Sequence, residues 1–185
     1  VSDEPYRKII FDDLEYPNLF SLHDRYIVAT SHSKDLALPG ERIGYIAVHP
    51  NIDNKTELID ALIFCNRSLG FVNAPALMQH VVESLQSVTV DVGEYQKKRD
   101  FLYPELTKMG YKVVKPNGAF YMFPRSPIKD DVKFTEELLN HKVLVVPGTG
   151  FGLPGYFRLS YCLEDSILEG SLSGFEAAIS KYNDN

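Results

Sequence analysis

No stretch of about 18 consecutive apolar residues occurs in the sequence, which excludes a membrane-spanning helix. Cysteine is scarce: Cys65 and Cys162 lie far apart, with no CxxC pair and no His/Cys cluster at metal-ligand spacing. No metal centre is expected, and both cysteines read as buried thiols in a reducing compartment, the cytoplasm. Concentrated positive charge is missing too. The formal net charge is −6, the pI is near 5.4, and the only dense basic run is Lys97-Lys98-Arg99. That run reads as the wet face of a helix, because a nucleic-acid site needs many clustered cations. The opening Val1-Ser2-Asp3-Glu4 is neither a signal peptide nor an initiator methionine, so the natural N-terminus is expected upstream.

What is present is enough apolar material for a core, 44% of 185 residues, in one large domain or two small ones. Two short β-prone runs, Tyr26–Ala29 and Ile43–Val48, bracket a polar loop that carries Lys34 and Arg42. A loop at a strand end is where α/β domains usually build sites. Lys34 is ordinarily a solvated loop residue; it becomes a Schiff-base nucleophile if burial or a neighbouring cation lowers its pKa. Ser2 or Asp3 suits a helix N-cap, with Pro5 in the first turn. Helical spacing follows in Leu58, Ile59, Leu62 and Ile63, then in Leu77, Met78, Val81, Val82 and Leu85, with His80 beside the apolar face as a structural residue.

Val92, Tyr95, Arg99, Leu102, Leu106 and Met109 step by three and four, which predicts a long amphipathic helix ending at Gly110 and kinked at Pro104. Asn117-Gly118 between Tyr111–Lys115 and Ala119–Phe123 predicts a β-hairpin. A helix over 132–141, strands over 143–146 and 156–161, and a closing helix through Ile167, Leu172 and Ile179 complete the reading. Gly148-Thr149-Gly150-Phe151-Gly152 leads to Leu153-Pro154-Gly155 and not to a helix start, so the dinucleotide fingerprint fails; a flexible active-site loop is expected there. Arg158 lies in an alternating strand, where an arginine ordinarily faces solvent.

Ser31-His32-Ser33-Lys34 followed by Pro39-Gly40-Glu41-Arg42-Ile43-Gly44 resembles the cofactor-lysine segment of the fold type I pyridoxal-phosphate aminotransferases, the class I/II group that includes aspartate aminotransferase. Asp3-Glu4-Pro5-Tyr6, Asn117-Gly118-Ala119-Phe120-Tyr121 and Phe157-Arg158-Leu159-Ser160 match further segments of that family in the same order. The resemblance implies an α/β chain that forms the C-terminal part of the pyridoxal-phosphate-dependent transferase fold. Residues 1–91 would be the C-terminal part of the large cofactor domain, and residues 92–185 the interdomain helix with the small C-terminal domain. The sheet of the large domain would then be only partly represented, with exposed edges and apolar faces, and the fragment inactive alone.

The same resemblance implies roles. Lys34 would hold pyridoxal 5'-phosphate as a Schiff base and move protons as general acid and base. Asp3 would bond the pyridine nitrogen and Tyr6 the phenolic oxygen, while Ser31 and Arg42 would hold the phosphate. Arg158 would clamp the substrate α-carboxylate, and Phe120 would line the substrate pocket. Amino acids and 2-oxo acids would be the substrates of a transamination, in a homodimer, with no nucleic acid or membrane partner. Two other activities fit such a scaffold: a carbon–sulfur β-lyase using the same cofactor, and a non-catalytic ligand domain of a transcription regulator.

Overall fold

The computed structural model describes residues 1–183, which fall into two compact units that divide between Val92 and Gly93. In the first, β1 (Ser2–Asp3) lies parallel to β2 (Ile27–Ser31), and β2 is antiparallel to β3 (Gly44–Val48). The β-branched Ile27, Val28 and Thr30 suit the pleat, and Val28 is buried. Asp3 sits in a strand and not at a helix start; Pro5 and Tyr6 form a turn behind it. The single turn α1 (His32–Asp35) follows β2 directly. Next come α2 (Lys55–Ser68) and α3 (Ala76–Ser84), which carry the residues at helical spacing except Leu85, the residue just past α3.

No residue of α2 is buried, and Ile59, Ile63 and Phe64 are exposed along it. A cavity of about 450 Å³, lined chiefly by apolar residues of β2, β3 and α2, separates that helix from the sheet. A three-stranded sheet offers too little surface to cover the helix, and this accounts for a correction: Cys65, on α2, is exposed. Cys162 is exposed as well, in the loop that follows the last strand.

The second unit is built on α4 (Val92–Lys108), which continues through Pro104. Its inner face carries Leu102, Leu106 and Arg99, residues of one stripe by spacing, but Arg99, read also as the wet end of the basic run, is 0% exposed. The basic run is therefore split: Lys97 faces water, whereas the guanidinium of Arg99 reaches Asp100 at 2.8 Å and the carbonyl of Pro116 at 3.0 Å. Burial of a charge is tolerated because these partners replace its water.

The predicted hairpin does not form. Residues 111–116 make no strand, and β4 (Tyr121–Met122) pairs with β6 (Phe157–Ser160) instead, with β5 (Val146–Pro147) on the other side of β6. Ala119, in the left-handed region at φ 61°, takes the chain out of a two-residue turn, and Tyr111 is drawn into the core. There its ring packs edge-on against Phe157 and Phe175, its hydroxyl donates to the Phe175 carbonyl at 2.9 Å, and burial pushes the phenol pKa well up. The strand expected over 143–146 shrinks to its end, because Lys142 (φ 63°) and Val143 close the C-terminus of α5 (Asp131–Asn140), the Val143 N–H donating to Leu138. The last described element is α6 (Asp165–Asn183), whose Leu168, Phe175 and Ile179 are buried. Among the described residues no helix is long and apolar enough to cross a membrane.

Candidate active site

β1 and β2 run in the same direction, with Asp3 opposite Ala29. Their carboxyl ends therefore lie side by side, and the groups that follow gather at one sheet edge, the usual location of sites in α/β domains. Asp3 ends β1 exposed, and among the described residues no cation pairs with its carboxylate. Tyr6 follows in the turn. Lys34, half-buried three residues past β2, carries its Nζ 6.0 Å from the centroid of the Tyr6 ring. Ser31 caps α1 with its backbone only, so its hydroxyl is not spent on the helix.

The ladder beneath this edge is tight. Ser31 lies opposite Gly44, and a Cβ added at Gly44 would come within 2.3 Å of the Thr30 carbonyl oxygen. Only glycine lets β3 approach β2 there. Arg42, just before Gly44, adopts φ 51° and donates from Nη1 to the Pro39 carbonyl at 2.7 Å. That bond closes the Pro39–Glu41 turn and leaves the remaining guanidinium N–H groups at the loop surface.

A buried network next to Lys34 was not foreseen from the sequence. Asp35 is 6% exposed and His32 5%. The Asp35 carboxylate lies 3.3 Å from His32 Nδ1 and 3.4 Å from Lys8 Nζ, while its carbonyl accepts from the Val90 N–H at 2.8 Å and the Thr89 hydroxyl at 3.1 Å. Lys8 also donates to the carbonyls of Gln86 and Val88. The turn that carries Lys34 is thus fixed to the 86–90 segment. Charged residues at i and i+3 of a short turn were the available sequence signal.

In the second unit, Arg158 projects half-buried from β6, its guanidinium 3.9 Å from the Phe151 centroid and 4.5 Å from that of Tyr121. Two aromatic rings thus flank the guanidinium, and among the described residues no carboxylate pairs with it. Phe151 ends the glycine-rich segment, which is a structured 3-10 turn, Gly148–Phe151, and not the loose loop expected. Asp131 fixes it, accepting from the Thr149 N–H at 2.7 Å and hydroxyl at 2.8 Å. Burial pushes the Asp131 carboxyl up, but those bonds and one from the Gly155 N–H outweigh it and hold its pKa below the usual range. Phe120 is buried, its ring against those of Tyr95 and Tyr121. Burial, followed by a bond from Cys162, pushes the Tyr95 phenol up to about 12.

The donor set of the first unit suits pyridoxal phosphate: a primary amine, a phenol, a carboxylate on the adjacent strand end, and a hydroxyl and guanidinium for a phosphate. Among the described residues no cluster of His, Cys, Asp and Glu could hold a metal.

Residues 1–171 match the family described as aminotransferase class I and II. The chain is 38% identical over 181 residues to a probable aspartate aminotransferase of Methanocaldococcus jannaschii, covering 93% of this chain and 47% of that protein. It is 33% identical to the aspartate aminotransferase of Pyrococcus abyssi, over 97% of this chain and 48% of the relative. Among solved structures, an aminotransferase from Eubacterium rectale superposes with a TM-score of 0.93 at 42% identity, covering 98% of this chain and 46% of that one. The aspartate aminotransferase of Thermotoga maritima gives 0.81 at 30% identity, over 97% and 47%. The chain spans about half the length of the curated relatives it matches. Its mixed α/β architecture is that of a part of these folds, as the sequence motifs implied.

Proposed function

The chain belongs to the class I and II aminotransferases, and from that premise we propose that the whole protein moves an amino group between an amino acid and a 2-oxo acid, with pyridoxal 5'-phosphate held at Lys34. Members of this family use that cofactor. One observation carries the reading: two parallel strand ends bring a free carboxylate, Asp3, beside the turn whose Lys34 amine lies over Tyr6. Because the chain spans about half of its relatives, activity is assigned to the full-length protein, and the 185 residues alone are expected to be inactive. Residues 1–91 would then be the C-terminal part of the cofactor domain, and residues 92–185 the small domain with its connecting helix.

Bound there, pyridoxal 5'-phosphate supplies a conjugated ring that accepts the electron pair released at the substrate α-carbon. The protein's residues do the rest. Lys34 Nζ would take the substrate α-proton as base and give it back as acid. Asp3 would hold the ring nitrogen and favour its protonated form, and Tyr6 would donate to the ring's phenolic oxygen. Ser31 and Arg42 bind the phosphate, as a donor and as a fork. Arg158, which pairs with no carboxylate among the described residues, would hold the α-carboxylate as a fork and so orient the C–H bond to be broken. Phe120, buried against Tyr95 and Tyr121, would line the substrate pocket. A homodimer is the proposed assembly and the cytoplasm the proposed location.

The test is product analysis on the full-length protein with a panel of amino donors and 2-oxoglutarate. Stoichiometric formation of a new 2-oxo acid and glutamate, lost in Lys34→Ala, supports the assignment. Release of ammonia and pyruvate without an acceptor would replace it with β-elimination, and saturable amino-acid binding without turnover would replace it with a ligand-binding role.

A further inference from the structure

The second unit holds a cavity of about 780 Å³ whose walls include neither Arg158 nor Phe120. Lys112, Arg125 and Lys129 all line it. Among the described residues no acidic side chain lines this cavity, and none of the three cations makes an ion pair or a side-chain hydrogen bond. The acids nearby in the chain are committed elsewhere. Asp131 holds Thr149, Asp130 caps α5 through the Lys133 N–H at 3.1 Å, and Glu137 takes Lys181 at 2.7 Å. In a chain of net charge −6, three uncompensated cations around one cavity repel each other, a cost that an anion removes.

The wall also carries a buried donor. Ser126, 5% exposed, accepts from the Ile128 N–H at 3.3 Å, and its own hydroxyl proton has no acceptor among the described residues. Tyr156, Tyr182, Pro127 and Ile179 supply flat and apolar surface beside these groups. We propose that this cavity binds a small phosphorylated molecule with a flat ring body. Arg125 takes the phosphate as a fork, the two lysines neutralise it as point charges, Ser126 donates to it, and the ring lies along the tyrosines. The site lies entirely in the second unit and stands independently of the aminotransferase reading.

Adenosine 5'-monophosphate is the probe, titrated calorimetrically into the full-length protein at low ionic strength, where exposed cations act at full strength. The comparisons are adenosine, citrate, an Arg125→Gln/Lys129→Gln variant and an Arg42→Gln variant. All the substituted side chains are exposed, so folding is not at stake. The expected result is saturable binding of the monophosphate, no binding of adenosine, and roughly tenfold or more weakening in the double variant with Arg42→Gln unchanged. Three outcomes overturn the proposal: no saturable binding, binding unaltered by the double variant or abolished by Arg42→Gln, or binding of citrate in preference to the monophosphate.

Discussion

The carboxylate of Asp35 lies 3.3 Å from Nδ1 of His32, both side chains buried, and Lys34 stands between them in sequence. Asp35 also meets Lys8 at 3.4 Å, whereas its Oδ1 has no partner among the described residues. Asp35→Ala strands a buried imidazole and is expected to cost about 1.5–3 kcal/mol. A thermal melt of the variant reads the loss. Asp35→Asn, which keeps the shape but not the charge, should lose less; equal losses would show that the charge and not the shape matters.

Gly44→Ala tests the tight ladder under Ser31. Its Cβ would meet the Thr30 carbonyl oxygen at 2.3 Å and the Ser31 Cα at 2.9 Å, so β3 must move away from β2. The expected cost is about 1–3 kcal/mol, together with weaker retention of pyridoxal phosphate on dialysis. A variant that melts and binds like the wild type would show that the strands accommodate the methyl group.

Arg158 is held by its flanking rings as much as by its strand. Arg158→Lys removes both the fork and the guanidinium's contact over the Phe151 ring. The KM for every amino donor should rise, on the order of tenfold or more, while cofactor binding stays unchanged. Phe151→Leu should move KM in the same direction by less. Unchanged donor kinetics in both would remove Arg158 from the site.

Asp131 predicts a pH dependence. Its folded pKa is lowered, so its contribution is present above the unfolded value of about 3.9 and is lost as pH falls through the lower folded value. Asp131→Asn should therefore melt below the wild type at neutral pH, with the gap closing only below about pH 4. The Thr149 turn that carries Phe151 loosens with it, and the deficit is about 1–3 kcal/mol. A gap that stays constant down to pH 2 would contradict the charged-acceptor role.

Much of the fold was legible because its helices are long and periodic: α2, α3, α4 and α5 lie close to where spacing put them. The short strands were less so. Asn117-Gly118 carries a hairpin signal, yet Tyr121 and Met122 find a better partner in β6, far along the chain, and local propensity has no information about that. Burial was misread where tertiary cover decides it, in exposed Cys65 and in Arg99, which looks like surface charge until Asp100 and Pro116 enclose it. Asp3, Tyr6 and Lys34 were legible as an ordered motif. The supports around the candidate site, Lys8, His32 and Asp35, and the rings flanking Arg158, come from distant segments and needed the fold.

The central claim is that Lys34 is the cofactor lysine. Intact mass and peptide mapping of the full-length protein, after incubation with pyridoxal phosphate and borohydride reduction, test it directly. One adduct per chain, confined to the peptide that contains Lys34 and absent from Lys34→Ala, is the result predicted. No adduct, or label scattered over surface lysines with Lys34 unmodified, would contradict it.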